Sequence, residues 1–232
     1  MTTLVLVRHG QASFGAASYD ALSENGRRQS FVLGEHWKRT GFDMDGLYCG
    51  DMVRQKTTGL HALEAMQRSS AVTTHSAFNE YDFDGILRGY LPVVAREEPA
   101  ISIERKELYA NPRAFQLVFE KAIALWLSGR EPDGGIALEG WSRFRARVLA
   151  GLREVAAPGR KQVVVFTSGG VIAVALQQAL GLTDEMTFRM NWRIYNASVH
   201  TFRVGRSGLS LTGFNNITPL ELAGDAALLT FR

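Results

Sequence analysis

The sequence predicts an α/β fold: a mostly parallel sheet with helices on both faces and an antiparallel edge. Three observations predict it. Short β-prone apolar runs alternate with stretches of helical apolar spacing. Several of those runs end in glycine-containing turns that lead into helices. Two neighbouring β-prone runs near the C-terminus are joined by a hairpin signal.

In chain order, Thr3-Leu4-Val5-Leu6-Val7 is strand-forming and ends at Arg8-His9-Gly10, which puts those three residues at a strand's C-terminal edge. Ser23 starts a helix that extends to about Thr40, and Gly41 is placed to end it. Gly46 to Gly50 reads as a second strand, after which Asp51 caps a helix that carries Arg54. Ala71 to His75 is a third strand with a thinner signal. From about Phe83 to Ile136 the pattern turns irregular, with prolines at 92, 99, 112 and 132. One amphipathic helix, through Phe115, Phe119, Ile123 and Trp126, interrupts it. Trp141, Phe144, Val148, Leu152 and Val155 then fall at helical spacing. Gln162-Val163-Val164-Val165-Phe166 is the clearest buried strand; it turns through Thr167-Ser168-Gly169-Gly170 into a helix that Gly181 can stop. Ser198 to Val204 and Leu209 to Phe214 flank Gly205-Arg206-Ser207-Gly208 as a hairpin.

The 232 residues suffice for one large domain with a sizeable apolar core, and residues 83–136 read as an insertion in it. Hydrophobic residues at 46% and charged residues at 21% exclude a disordered chain. The net charge of +3 is small and no dense Lys/Arg block occurs, so neither nucleic acid nor a membrane surface is expected as a partner. A single cysteine, Cys49, excludes an intrachain disulfide and suits a reducing compartment. With no basic-then-apolar leader and no run of 18 apolar residues, the chain is expected to be cytoplasmic.

In sheets of this kind the site lies beyond the carboxyl ends of the strands, where neighbouring connections diverge. Arg8-His9-Gly10 and Ser168-Gly169-Gly170 both end strands in this way, so two distant turns can share one crevice. An Arg-His-Gly tripeptide alone is a weak signal, equally at home at an ordinary strand end. Three further places add to it. Tyr19 to Gln29 (Tyr-Asp-Ala-Leu-Ser-Glu-Asn-Gly-Arg-Arg-Gln) fits a turn and helix after such a motif. Arg54 stands four residues after Gly50, and Asn79-Glu80-Tyr81-Asp82 follows the third strand. No His-x-x-x-His pair is present, so a metal site is not expected, and His36, His61, His75 and His200 read as structural; no cofactor is expected.

In these motifs and their order, from Leu4 to about Phe202, the chain resembles the histidine phosphatase superfamily, the phosphoglycerate-mutase-like proteins. The resemblance implies that fold, with residues 83–136 as a cap overhanging the pocket. It implies that His9 attacks phosphorus and carries the phosphoryl group transiently, which splits one difficult step into two. Arg8 and Arg54 would clamp the oxygens, because a guanidinium fork matches phosphate geometry. Two cations nearby also disfavour imidazolium and keep His9 nucleophilic. Glu80 matches the family's proton donor to the leaving oxygen, with Asp82 as a rival; a carboxyl beside phosphate should be harder to ionise. The implied partner is a phosphorylated small molecule or phosphopeptide.

The chain departs from the family in two places. Most members carry a second histidine in a Ser-His-Gly-Gly turn after the fourth strand, and here Ser168 occupies that position. A neutral hydrogen bond contributes about 1 kcal/mol against about 1.5–3 for a charged one. That difference predicts a roughly tenfold loss of rate. Members also often have Ser or Thr two residues after the motif's glycine and Asn three further on, whereas this chain has Ala12 and Gly15. Ser13, one position off that register, is the candidate to supply a hydroxyl. His200 or a cap residue could enter the place of the missing imidazole.

The expected function is therefore a phosphate-monoester hydrolase working through phosphohistidine on His9, attenuated or specialised by Ser168. The alternative is a non-catalytic phosphate-ester-binding or regulatory module on the same fold. A mutase is disfavoured because the long basic, proline-rich insertion of family mutases is absent. A serine hydrolase fails because Gly-x-Ser-x-Gly would need glycine where Phe166 stands. The 83–136 segment holds seven basic and eight acidic residues, so it advertises no polyanionic partner.

Overall fold

The computed structural model describes residues 1–13, 20–97, 111–156, 159–206 and 208–231. Gly15, Tyr19, Pro99, Ser207 and the charged residues between 98 and 107 lie outside the described residues. Two compact units form: residues 1–80 with 147–232, and residues 81–146.

The larger unit holds β1 (Thr2–Arg8), α1 (Glu24–Arg39), β2 (Gly46–Cys49), α2 (Val53–Ala65) and β3 (Thr73–Thr74). After the smaller unit come β4 (Gln162–Thr167), α6 (Gly169–Leu180), α7 (Asp184–Asn191), β5 (Val199–Gly205), β6 (Gly208–Asn216) and α8 (Thr218–Leu222). The sheet runs β3-β2-β4-β1-β5-β6. β3, β2, β4 and β1 are mutually parallel, and β5 and β6 form the antiparallel edge. Strand side chains alternate between faces. Val5, Val7, Val164 and Phe166 thus share one buried face with Leu33, Trp37, Ala62 and Leu63 of α1 and α2. Leu4, Leu6, Val163 and Val165 on the other face are equally buried. α6 packs against β1 and β6.

Local chemistry sets the ends of these elements. The Ser23 hydroxyl accepts from Gly26 N to cap α1, and Gly181 ends α6 at φ 66°, a left-handed conformation that glycine adopts without a Cβ clash. Asp51, by contrast, does not cap α2. It pairs with the Asn79 side chain, and the N–H of Val53 is taken by the Asp20 carboxylate at 2.8 Å. The third strand is shorter than the run expected for it, only Thr73–Thr74, at one edge of the sheet.

The smaller unit contains α3 (Phe83–Glu97), α4 (Pro112–Leu127) and the start of α5 (Trp141–Val155). The irregular pattern expected from Phe83 onward thus begins with a helix. Pro92 sits inside it, where proline removes one backbone bond. The buried stripe of Ile86, Leu87, Tyr90, Val93 and Val94 outweighs that loss. Phe83 packs on Phe115 and Phe119, and Tyr81, Trp126, Trp141 and Phe144 form an aromatic cluster. Among the described residues, no helix is long and apolar enough to cross a membrane.

Candidate active site

β1 and β4 are parallel neighbours, with Arg8 opposite Thr167, so the chain leaves both strands at the same sheet edge. His9 is pinned there by its backbone. Its N–H donates to Thr167 O at 2.8 Å, and its carbonyl accepts from Ala197 N and the Asn196 amide. Gly10 and Gly26 permit the tight approach of this turn to α1: a Cβ at Gly10 would lie 2.3 Å from Gly26 O.

The hydrogen bonds of the ring define its tautomer. Nδ1 lies 2.7 Å from Gly10 O, and a carbonyl only accepts, so Nδ1 carries the hydrogen. Nε2 therefore holds a lone pair, and it accepts from Arg54 Nε at 3.1 Å. The residue is 7% exposed. Burial first, then the charges of Arg54 and Arg8, hold the imidazole well below its ordinary value, against a smaller opposing effect of the Gly10 carbonyl. His9 is thus a neutral base with its unprotonated nitrogen turned toward a guanidinium.

His200 is neutral for related reasons. Its Nδ1 accepts from Asn215 N, so Nε2–H donates to Ser198 Oγ at 2.9 Å, and that hydroxyl donates onward to Tyr195 O. It is fully buried, and burial followed by the Arg8 charge pushes it down to about 3. Both ring nitrogens are engaged, so the idea that His200 enters the position of a missing second histidine does not hold.

These two imidazoles make stability pH-dependent. Each binds a proton in the unfolded chain near pH 6.5 but resists it when folded. The stabilisation is complete above pH 6.5 and is lost as pH falls from there, for His200 down to about 3. The unfolding free energy from urea titration should decline from pH 7 to pH 5, by up to about 1.4 kcal/mol per pH unit per group, and the urea midpoint with it. A midpoint flat over that interval would contradict this.

Arg54, one residue inside α2, is buried. Its Nη1 meets Asp20 Oδ1 at 2.7 Å, while Asp20 Oδ2 takes Val53 N. Thr58, one turn along α2, accepts from Gly10 N at 2.9 Å and donates to Arg54 O, tying helix to motif. Arg8 is half-buried and donates through Nη1 to Ile194 O.

Glu80 and Ser168 both lie at the start of α6. Ser168 is the N-cap residue, yet its hydroxyl caps nothing; Glu80 Oε2 accepts the Gly170 N–H at 3.1 Å. Ser168 Oγ instead accepts from Gln55 Nε2 at 2.7 Å, and the same amide donates to Phe78 O. Ser168 and Gln55 are both fully buried. Asp82, the rival acid, accepts from Gly85 N in the first turn of α3. Ser13 is half-buried, its backbone N–H bonded to Ala21 O.

His9 and Arg54 are therefore in direct contact. Glu80 and Ser168 share the first turn of α6, beside the end of β1. Asp20 and Gln55 are the residues that sequence reasoning missed. Asp20 lay in a quoted run but read as part of a turn. Gln55 directly follows Arg54 and offered no signal without its tertiary partner.

The family model described as "Histidine phosphatase superfamily (branch 1)" matches residues 4–217. No curated protein sequence matches the chain. Solved structures with the same fold include phosphoglycerate mutase from Bacillus anthracis str. Sterne, at 18% identity and TM-score 0.64, covering 97% of each chain. The alpha-ribazole phosphatase from Shigella flexneri gives 18% identity and TM-score 0.61, over 93% of this chain and 96% of that one. The mycobacterial glucosyl-3-phosphoglycerate phosphatase in complex with inorganic phosphate gives 19% identity and TM-score 0.60, over 94% and 99%.

Proposed function

The chain belongs to the histidine phosphatase superfamily, and on that footing we propose that it hydrolyses a small phosphate monoester through a phosphohistidine on His9. The observation that carries this reading is the Nδ1–H tautomer of a buried His9, with its Nε2 lone pair facing Arg54.

A phosphoryl group entering at Arg54 draws the guanidinium hydrogens onto its oxygens, and Nε2 loses its present partner. That nitrogen then attacks phosphorus while the bond to the leaving oxygen breaks. Glu80 gives the leaving oxygen its proton. It next removes a proton from water as the water attacks phosphorus and the P–N bond breaks, returning neutral His9 and releasing phosphate. Arg54 and Arg8 hold the charge that develops on the phosphoryl oxygens, and catalysis of this transfer is chiefly positioning and electrostatics.

Ser168 supports the finer reading of an attenuated or specialised enzyme. Its hydroxyl is sealed behind Gln55 and brings no charge to the phosphoryl group. The same observation favours the second reading, a phosphate-binding module with negligible turnover. Names of the fold neighbours support a small ester: alpha-ribazole phosphatase and glucosyl-3-phosphoglycerate phosphatase are both named for one. Substrate choice is assigned in this proposal to residues 83–136, read as a cap on a single domain.

A panel of p-nitrophenyl phosphate, phosphoserine and 3-phosphoglycerate distinguishes the two readings. The wild type should release phosphate from at least one of them, and His9→Ala should fall to background on all. Binding of phosphate without turnover would select the module instead.

A further inference from the structure

We infer that Asp20 is a positioning residue for the reaction proposed above: its carboxylate, fixed on the first turn of α2, aims the Arg54 guanidinium at His9. The inference rests on that phosphatase reading for its functional meaning, although the geometry stands by itself.

The N-cap of α2, Met52, makes no side-chain cap bond, and the helix is capped from 33 residues away by Asp20 Oδ2 on Val53 N at 2.8 Å. The other oxygen holds Arg54 Nη1 at 2.7 Å, and Arg54 Nε then reaches His9 Nε2 at 3.1 Å. A carboxylate anchored through one oxygen is a fixed post for the other. An arginine side chain has four rotatable bonds, so two-point support defines where its fork lies. Arg54 is almost covered while Asp20 is about one-third exposed, so the pair sits at the mouth of the site with its cation inward. A surface ion pair of this length would matter little. Here one partner is buried against the nucleophile.

Asp20→Asn separates positioning from capping, because the Asn Oδ1 still accepts from Val53 N but offers Arg54 no charge. The His9 ring should be followed by NMR titration alongside kinetics on p-nitrophenyl phosphate. The charges facing that ring are Arg54 from α2 and Arg8 from β1. If Asp20 aims Arg54, the guanidinium drifts in the variant and His9 titrates higher than in the wild type. If Asp20 merely balances charge, Arg54 stays and His9 titrates lower or unchanged, which overturns the inference. Catalytic efficiency should drop roughly tenfold or more. Unchanged or increased efficiency in an active enzyme would also overturn it. Should the wild type hydrolyse nothing, the phosphatase reading fails, while the titration still decides whether Asp20 aims Arg54. Asp20→Ala, which removes both contacts, repeats the His9 titration if the Asn variant does not fold.

Discussion

On the proposed mechanism, Arg54→Ala should lower kcat/KM for p-nitrophenyl phosphate by on the order of 10²- to 10³-fold, the effect of deleting one preorganised charged donor from a buried site. Three losses combine. The phosphoryl oxygens lose their guanidinium clamp. His9 Nε2 loses the neighbour that defines its direction. Burial still holds the ring neutral, but one of the two charges that add to it disappears. The last loss has its own signature: the His9 titration moves up, and the acidic limb of the kcat/KM profile follows it toward neutral pH. Arg54→Lys separates charge from geometry, because an ammonium keeps the charge but cannot serve His9 and Asp20 with a rigid fork. It should recover the titration more fully than the rate. Steady-state kinetics across pH 4 to 8 checks both, and a lysine variant as active as wild type would refute the geometric part.

Glu80→Gln is the second large effect, and its size depends on the leaving group. General acid–base catalysis contributes roughly 10²- to 10⁴-fold. An alkyl leaving group such as the serine of phosphoserine needs its proton; nitrophenolate leaves readily without one. The variant should therefore lose far more rate on phosphoserine than on p-nitrophenyl phosphate. The amide oxygen of Gln still accepts the Gly170 N–H, so the first turn of α6 keeps its cap and the fold is preserved. Without a base for water, the second step slows, and rapid mixing with the nitrophenyl ester should show a burst of nitrophenol. Equal losses on the two esters, with no burst, would remove Glu80 from proton transfer.

Much of this architecture is legible in the residues because its signals are local. Val163 to Phe166 is too apolar to be anything but a buried segment, and Ser23 and Gly181 act on their own helices. The Arg8-His9-Gly10 motif sits at a strand end because the strand before it is unmistakable. What escaped is non-local. Asp20 caps a helix 33 residues away, and Gln55 reaches Ser168 across 113 residues, so neither contact leaves a pattern in its own neighbourhood. Asp51 looks like a helix cap, but Asn79 takes it first. Pro92 marks a break that packing overrides, because the apolar stripe on both sides of it is continuous around the helix. Ser168 was visible as an oddity, whereas the burial of its hydroxyl behind Gln55 depends on tertiary packing.

A phosphohistidine on His9 is a covalent bond, and a covalent bond can be trapped. Wild-type protein is mixed with a radiolabelled phosphoester, quenched in alkali within milliseconds, and digested for peptide mapping. Label is expected on the peptide containing His9, stable in base and lost in mild acid, and absent from His9→Ala. Steady hydrolysis with no labelled peptide, or label that persists when His9 is alanine, would contradict the phosphohistidine mechanism.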